Sequence, residues 1–362
     1  MKIKVALIFG GKSAEHEVSL RSASNIFNAI DKEKFDVILL GIDKDGNWCF
    51  NSDYLSDKIN LAEDDYFLHS KNVIIENIEN NLTIIFKQSH KILGTFNVAF
   101  SIIHGTSGED GTLQGFFKSK NIPFVGSDIL GSAICMDKDV TKRLLRDWGI
   151  PVANFMTLHK FELNRISFEE AKERFGLPIF IKPCNAGSSV GVNKVYDAPS
   201  FVLALTEAFL YDNKILIEEA ITGKEVECAI LGNENPKASV VGEIILSETF
   251  YSYDAKYHDA KGAKIKIPAE IPDEILSNLR RTAINAFKAT CCEGMARVDF
   301  FLRKDNTFVV NEINTLPGFT EISMYPKLWE YSGITYSDLI SNLIELSLNR
   351  DKKNMRLQTV KR

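Results

Sequence analysis

Between positions 297 and 314 an arginine, two acids and an amide (Arg297, Asp299, Glu312 and Asn314) are set into, or immediately beside, two otherwise apolar runs, VDFFL and TFVVNEI. The runs are rich in β-branched and aromatic residues, and the KDNT between them has polar turn chemistry, so the stretch predicts a β-hairpin. A two-residue turn at Asp305-Asn306 places Asp299 opposite Glu312 and Arg297 opposite Asn314. Strand side chains alternate, so all four then share one face. A three-residue turn would shift this pairing by one. Phe300, Leu302, Val309 and Ile313 are expected on the opposite face, with Phe301, Phe308 and Val310 continuing the charged one. Oxygen ligands gathered without His or Cys suit Mg²⁺, which takes one or two carboxylates and leaves room for substrate phosphates. The chemistry expected is a magnesium–nucleotide site with Arg297 beside it to hold an anion.

A nucleotide needs a phosphate loop, and two stretches compete for that role. Gly11-Lys12-Ser13 imitates the end of a GxxxxGK[ST] loop, but the first glycine of that motif would fall where Ala6 stands, so this reading fails. In KPCNAGSSVG, Gly187 and Gly191 bracket two serines between strands. Such a loop can turn successive backbone N–H groups toward one anion, and Lys182 adds a point charge. Further on, LIEEAITGKEVE ends an apolar strand in Glu218 and Glu219, continues through Ile221 and reaches Glu225. This suits a cleft in which backbone and carboxylate meet adenine and ribose. The segment SETFYSYDAKYHDAKGAK has no helical or strand period, and long structureless loops are often lids.

The elements that must position these groups can be read from pattern. The 362 residues are 45% hydrophobic, enough core for about two or three domains. A formal net charge of -5 gives no general attraction to nucleic acid, so a small-molecule partner is expected. Cys49, Cys135, Cys184, Cys228, Cys291 and Cys292 show no CxxC spacing, which fits a reducing cytoplasm. The opening MKIKVALIFGG is too short an apolar run for a signal peptide or membrane span and reads as a first strand. A glycine turn and an amphipathic helix come next, a βαβ opening. Short β-like runs over about 44–95 read as an insertion on this first domain. The polar NRDKKNMRLQTVKR is expected to be a frayed tail without chemistry.

Together GGKSAEHEVSL, HGTSGEDGTLQG, MDK, KPCNAGSSVG, FYSYDAKY, RVDFFL and NEINTLPGFT resemble the D-alanine:D-alanine ligase family of the ATP-grasp superfamily. The likeness spans nearly the whole chain. It implies an α/β, three-domain ATP-grasp fold: an N-terminal open parallel-sheet domain (1–126), a central subdomain (127–218) and a C-terminal subdomain (219–362) with a lid at 247–268. ATP would lie between the last two. The resemblance assigns Asp299, Glu312 and Asn314 to two Mg²⁺ ions, for which Mn²⁺ can substitute. It gives Lys138, Lys182, Glu218, Ile221, Glu225 and Lys256 to the nucleotide, and Ser188 and Ser189 to the loop over the phosphates. Glu15, Val18 and His104 would line the first D-alanine site, and Arg297, Gly318 and Ser323 the second. Tyr257 on the lid would join Glu15 and Ser188 in a hydrogen-bonded chain. The implied protein is a cytoplasmic homodimer that makes D-alanyl-D-alanine for peptidoglycan and binds neither nucleic acid nor membrane. Two rival readings are a ligase taking D-lactate second and a nucleotide-binding regulator without turnover.

Overall fold

The structure is a computed structural model that describes residues 2–54, 58–63, 65–79, 81–246 and 263–357. Three sheets carry the chain. The first holds β1 (Ile3–Gly10), β2 (Phe35–Ile42), β3 (Trp48–Phe50), β4 (Lys71–Ile78), β5 (Asn81–Phe86), β6 (Ile92–Phe96) and β7 (Val98–Ser101), in the order β6-β5-β4-β3-β2-β1-β7. At one end of it the strands β2-β1-β7 are parallel, as the βαβ opening requires, with α1 (His16–Ala29) packed on β1. The 44–95 insertion extends this sheet with four antiparallel strands, so the whole sheet is mixed.

After α2 (Thr112–Ser119), α3 (Ile129–Met136) and α4 (Lys138–Asp147) comes a four-stranded sheet, β10-β9-β11-β8. Its strands are β8 (Phe155–His159), β9 (Ile179–Pro183), β10 (Asn193–Val195) and β11 (Lys214–Glu219), with α5 (Phe168–Phe175) and α6 (Ala198–Tyr211) beside them. The third sheet, β14-β13-β12-β15-β16, comprises β12 (Lys224–Gly232), β13 (Lys237–Leu246), β14 (Ala263–Lys266), β15 (Gly294–Leu302) and β16 (Phe308–Asn314). It carries α7 (Asp273–Ala289), α8 (Met324–Glu330) and α9 (Tyr336–Asn354).

The cores do not map onto the sheets one to one. Leu7, Phe9, Phe100, Ala229, Met295, Phe319, Leu328 and Ile344 belong to one apolar cluster, so the first sheet, the third sheet and the last two helices share a core. Leu158, Ile181, Phe201 and Ile217 form a separate one between the four-stranded sheet and its helices. The expected frayed tail is corrected here: α9 runs to Asn354, and Arg350 is buried. Its guanidinium donates to the carbonyls of Phe124 and Gly126 at 2.6 Å each and pairs with Glu293 at 3.2 Å. Burial of the surrounding apolar faces carries this one charged side chain inward because its hydrogen bonds are met.

Candidate active site

The predicted hairpin is β15-β16, and Arg297 does face Asn314 and Asp299 does face Glu312. The route to that pairing differs from the expectation. Arg303 N–H donates to the Thr307 carbonyl at 2.8 Å, enclosing a three-residue turn with Asn306 left-handed (φ 66°). Near the turn Leu302 therefore faces Phe308, and Phe300 faces Val310. A bulge between Asp299 and Phe300, with Asn311 as the extra residue, restores the register at the charged end. The faces of three apolar residues change accordingly. Phe308 and Val310 pack with Phe300, Leu302 and Ile313 into the core under α7, while Val309 lies on the charged face.

A cavity of about 750 Å³ opens over that face, a size that suits a nucleotide with small co-substrates. Glu15, Val18, His104, Lys138, Ser188 and Glu225 line it, as do Arg297, Asp299, Glu312, Asn314, Gly318 and Ser323. Lys182, Glu218, Ser189 and Ile221 are not part of that wall. Lys256 and Tyr257, with most of the expected lid, lie outside the described residues.

Glu15 is brought in by the end of β1. Gly10 and Gly11 both take positive φ (89° and 96°), and a Cβ on Gly10 would come within 2.3 Å of the Ile42 carbonyl. Only glycine allows this turn, which leads straight into α1 with Glu15 as its N-cap residue. Ser188 donates to Glu15 Oε1 at 2.5 Å, so two segments 173 positions apart meet over the cavity. The loop carrying Ser188 is bent as an anion cradle would be. Ser188 and Ser189 both have positive φ (52° and 61°), uncommon for residues with a Cβ. Lys138, the first residue of α4, donates to the Ala186 carbonyl of this loop at 2.6 Å and stands 3.8 Å from Glu312.

Glu218 sits between two ammonium groups, Lys182 at 3.1 Å and Lys142 at 3.0 Å. Burial would raise the Glu218 carboxyl, but the fields of Lys142 and Lys182 outweigh it and hold it below the usual range. Burial pulls Lys142 down. His104 is buried, with Nδ1 near Glu109 (3.4 Å) and the Leu316 carbonyl (3.2 Å) and Nε2 near Ser22 (3.3 Å). Its own burial opposes a charge, yet Glu109 and Glu15 raise it above the usual imidazole value.

At the hairpin, Arg297 forms two parallel bonds of 2.7 Å to Asp299, so its fork is held within the protein. Glu227, on β12 opposite Asp299, lies 3.0 Å from the same guanidinium. Asn314 Oδ1 accepts the Leu316 N–H at 3.1 Å, which leaves a second lone pair on that oxygen. Among the described residues no three His, Cys, Asp or Glu side chains converge as a closed metal cage. Two carboxylates and an amide on neighbouring strands are instead the partial oxygen set that Mg²⁺ shares with phosphates.

Sequence reasoning missed Lys142, Glu227 and the insertion's share of the wall. Ile59, Asn60, Ala62 and Glu63 line the cavity, held there by reciprocal 3.0 Å bonds between Ile59 and the Asn28 amide on α1.

Comparison with known proteins matches the family description "D-ala D-ala ligase N-terminus" to residues 4–127 and "D-ala D-ala ligase C-terminus" to residues 144–345. A D-alanine--D-alanine ligase from Oceanobacillus iheyensis is 53% identical, with 99% of each chain covered. D-alanine--D-alanine ligase A from Escherichia coli is 52% identical with the same coverage. Among solved structures, the D-alanine-D-alanine ligase of Coxiella burnetii superposes with a TM-score of 0.84 at 34% identity, covering 98% of both chains. VanG D-Ala:D-Ser ligase from Enterococcus faecalis gives 0.85 at 36% identity, covering 96% of this chain and 100% of that one. With both halves matched in order and likeness running end to end, the chain belongs to the D-alanine–D-alanine ligase family and has its ATP-grasp fold.

Proposed function

We propose that the protein joins two D-alanines at the expense of ATP, through a D-alanyl phosphate, to supply D-alanyl-D-alanine for the cell wall. The observation that carries this reading is the convergence of Glu15, Ser188, Lys138, Arg297 and the Asp299–Glu312–Asn314 face on one cavity. A carboxylate is a poor acyl donor because its leaving oxygen is too basic, and phosphorylation removes that difficulty. The Glu15 carboxylate receives the ammonium of the first D-alanine, and Ser188 fixes its direction. Lys138, Lys182 and the serine loop hold the phosphates in line. Asp299, Glu312 and Asn314 would hold Mg²⁺, which offsets charge on the β and γ oxygens. Arg297 and the Gly318 N–H receive the acyl phosphate and then the oxyanion formed when the second amine attacks; one such donor is typically worth about 3 to 4 kcal/mol. Lys256 and Tyr257 belong to the segment that would exclude water from the acyl phosphate.

D-alanine is preferred to D-lactate as acceptor on the strength of full-length relatives named D-alanine--D-alanine ligase. The six free thiols fit a reducing cytoplasm, and the family resemblance supports a homodimer, which light scattering after gel filtration would test. The deciding experiment measures ADP release with D-alanine, with L-alanine, and with D-alanine plus D-lactate, identifying products by mass. Release that depends on D-alanine and yields the dipeptide is expected. Equal release with L-alanine, or ester as the main product of the mixture, would overturn the assignment.

A further inference from the structure

Arg297 Nε carries one hydrogen, yet two carboxylates reach it: Asp299 Oδ1 at 2.7 Å and Glu227 Oε2 at 3.0 Å. The hydrogen is directed to Asp299, whose other oxygen accepts from Nη2. Glu227 is 3% exposed, and β12 fixes it directly across from Asp299. A buried carboxylate is costly to desolvate, and Asp299 already fills the guanidinium fork, so a second one at the same nitrogen calls for a reason.

The proposed reaction supplies one. Asp299 has two tasks, holding Arg297 and holding a cation, and its oxygens bonded to the guanidinium are the ones a cation would need. We propose that Glu227 is a positioning residue, the alternative seat for Arg297. When Asp299 turns to the cation, the Nε–H of Arg297 passes to Glu227, which keeps the guanidinium hydrogen-bonded and its Nη edge aimed into the cavity. No proton is transferred and no covalent bond changes; one hydrogen bond is exchanged for another. The inference rests on reading Asp299 as a cation ligand.

The test uses Mn²⁺ as probe, titrated into the full chain with ADP present and followed by electron paramagnetic resonance. The parent, Glu227→Asp, Glu227→Gln and Asp299→Asn are compared, each checked by a thermal melt. Glu227→Asp keeps the charge but withdraws it by one methylene, so it should lose the exchange: Mn²⁺ affinity and kcat both fall about tenfold or more. KM for ATP should stay within about twofold. Glu227→Gln keeps the reach and should be no worse than Asp. If Asp behaves like the parent while Gln alone fails, Glu227 contributes only its field and the proposal is overturned. Parent-like affinity in both variants overturns it as well. Parent-like affinity in Asp299→Asn would instead remove the cation assignment itself, a failure separate from that of Glu227.

Discussion

Two ammonium groups, Lys142 and Lys182, share the Glu218 carboxylate, so this buried trio holds one surplus positive charge that the phosphates of a nucleotide would balance. Lys142→Met leaves the packing and removes one of Glu218's two ion pairs, so Lys182 is drawn to the carboxylate and away from phosphate. KM for ATP should rise about tenfold, as for a lost charged hydrogen bond, with little change in KM for D-alanine, both read from initial rates of ADP release. In sequence Lys142 and Arg143 are indistinguishable neighbours; the structure buries the first and leaves the second's side chain 58% exposed. Glu227 was equally illegible, since its meaning depends on which residue of another strand it faces. The place of Arg297 across from Asn314 was legible from its company. Arg297→Lys should lower kcat about a hundredfold or more, because a single ammonium cannot replace a planar fork; parent-like turnover would argue against that role. His104 and Glu109 both hold protons more tightly folded than unfolded. Their contribution to stability is therefore present below the ordinary values of 4.5 for Glu and 6.5 for His and is lost as pH rises through the folded ones. Melting temperature should fall with rising pH across that span, and His104→Gln should flatten the upper part of the curve.

The elements were read well where pattern decides and less well where a single residue does. The opening βαβ stands as β1, α1 and β2, where the pattern put it. The insertion was legible as short strands, but nothing in a strand's composition says which edge it will join, so its place on the first sheet and its loop in the cavity wall were not. The β15-β16 pairing came out as expected at Asp299 for a reason the sequence hides. The turn is one residue longer than expected, and Asn311 absorbs the difference as a bulge. A bulge also sharpens twist and re-aims the side chains beyond it, here Glu312 and Asn314. Deleting Asn311 should leave Glu312 across from Asp299 and the melt close to the parent's, yet turn both side chains and cost most of the activity. A large loss of stability would show that the bulge serves folding instead.

At the scale of the molecule, the first sheet, the third sheet and the last two helices are joined by one core, with Arg350 as a polar bolt between α9 and the chain after α2. The four-stranded sheet keeps a core of its own and carries Lys182, Glu218 and the serine loop toward the cavity. Topologically, then, the chain leaves one body at about residue 154, builds a second, and returns to the first at Lys224. Scission inside the excursion, for example by a protease site engineered into the α5–β9 connection, would cut the polypeptide without separating its ends. The two fragments should co-elute under native gel filtration and part only in denaturant, because what holds them is the seam between the beginning and the end of the chain.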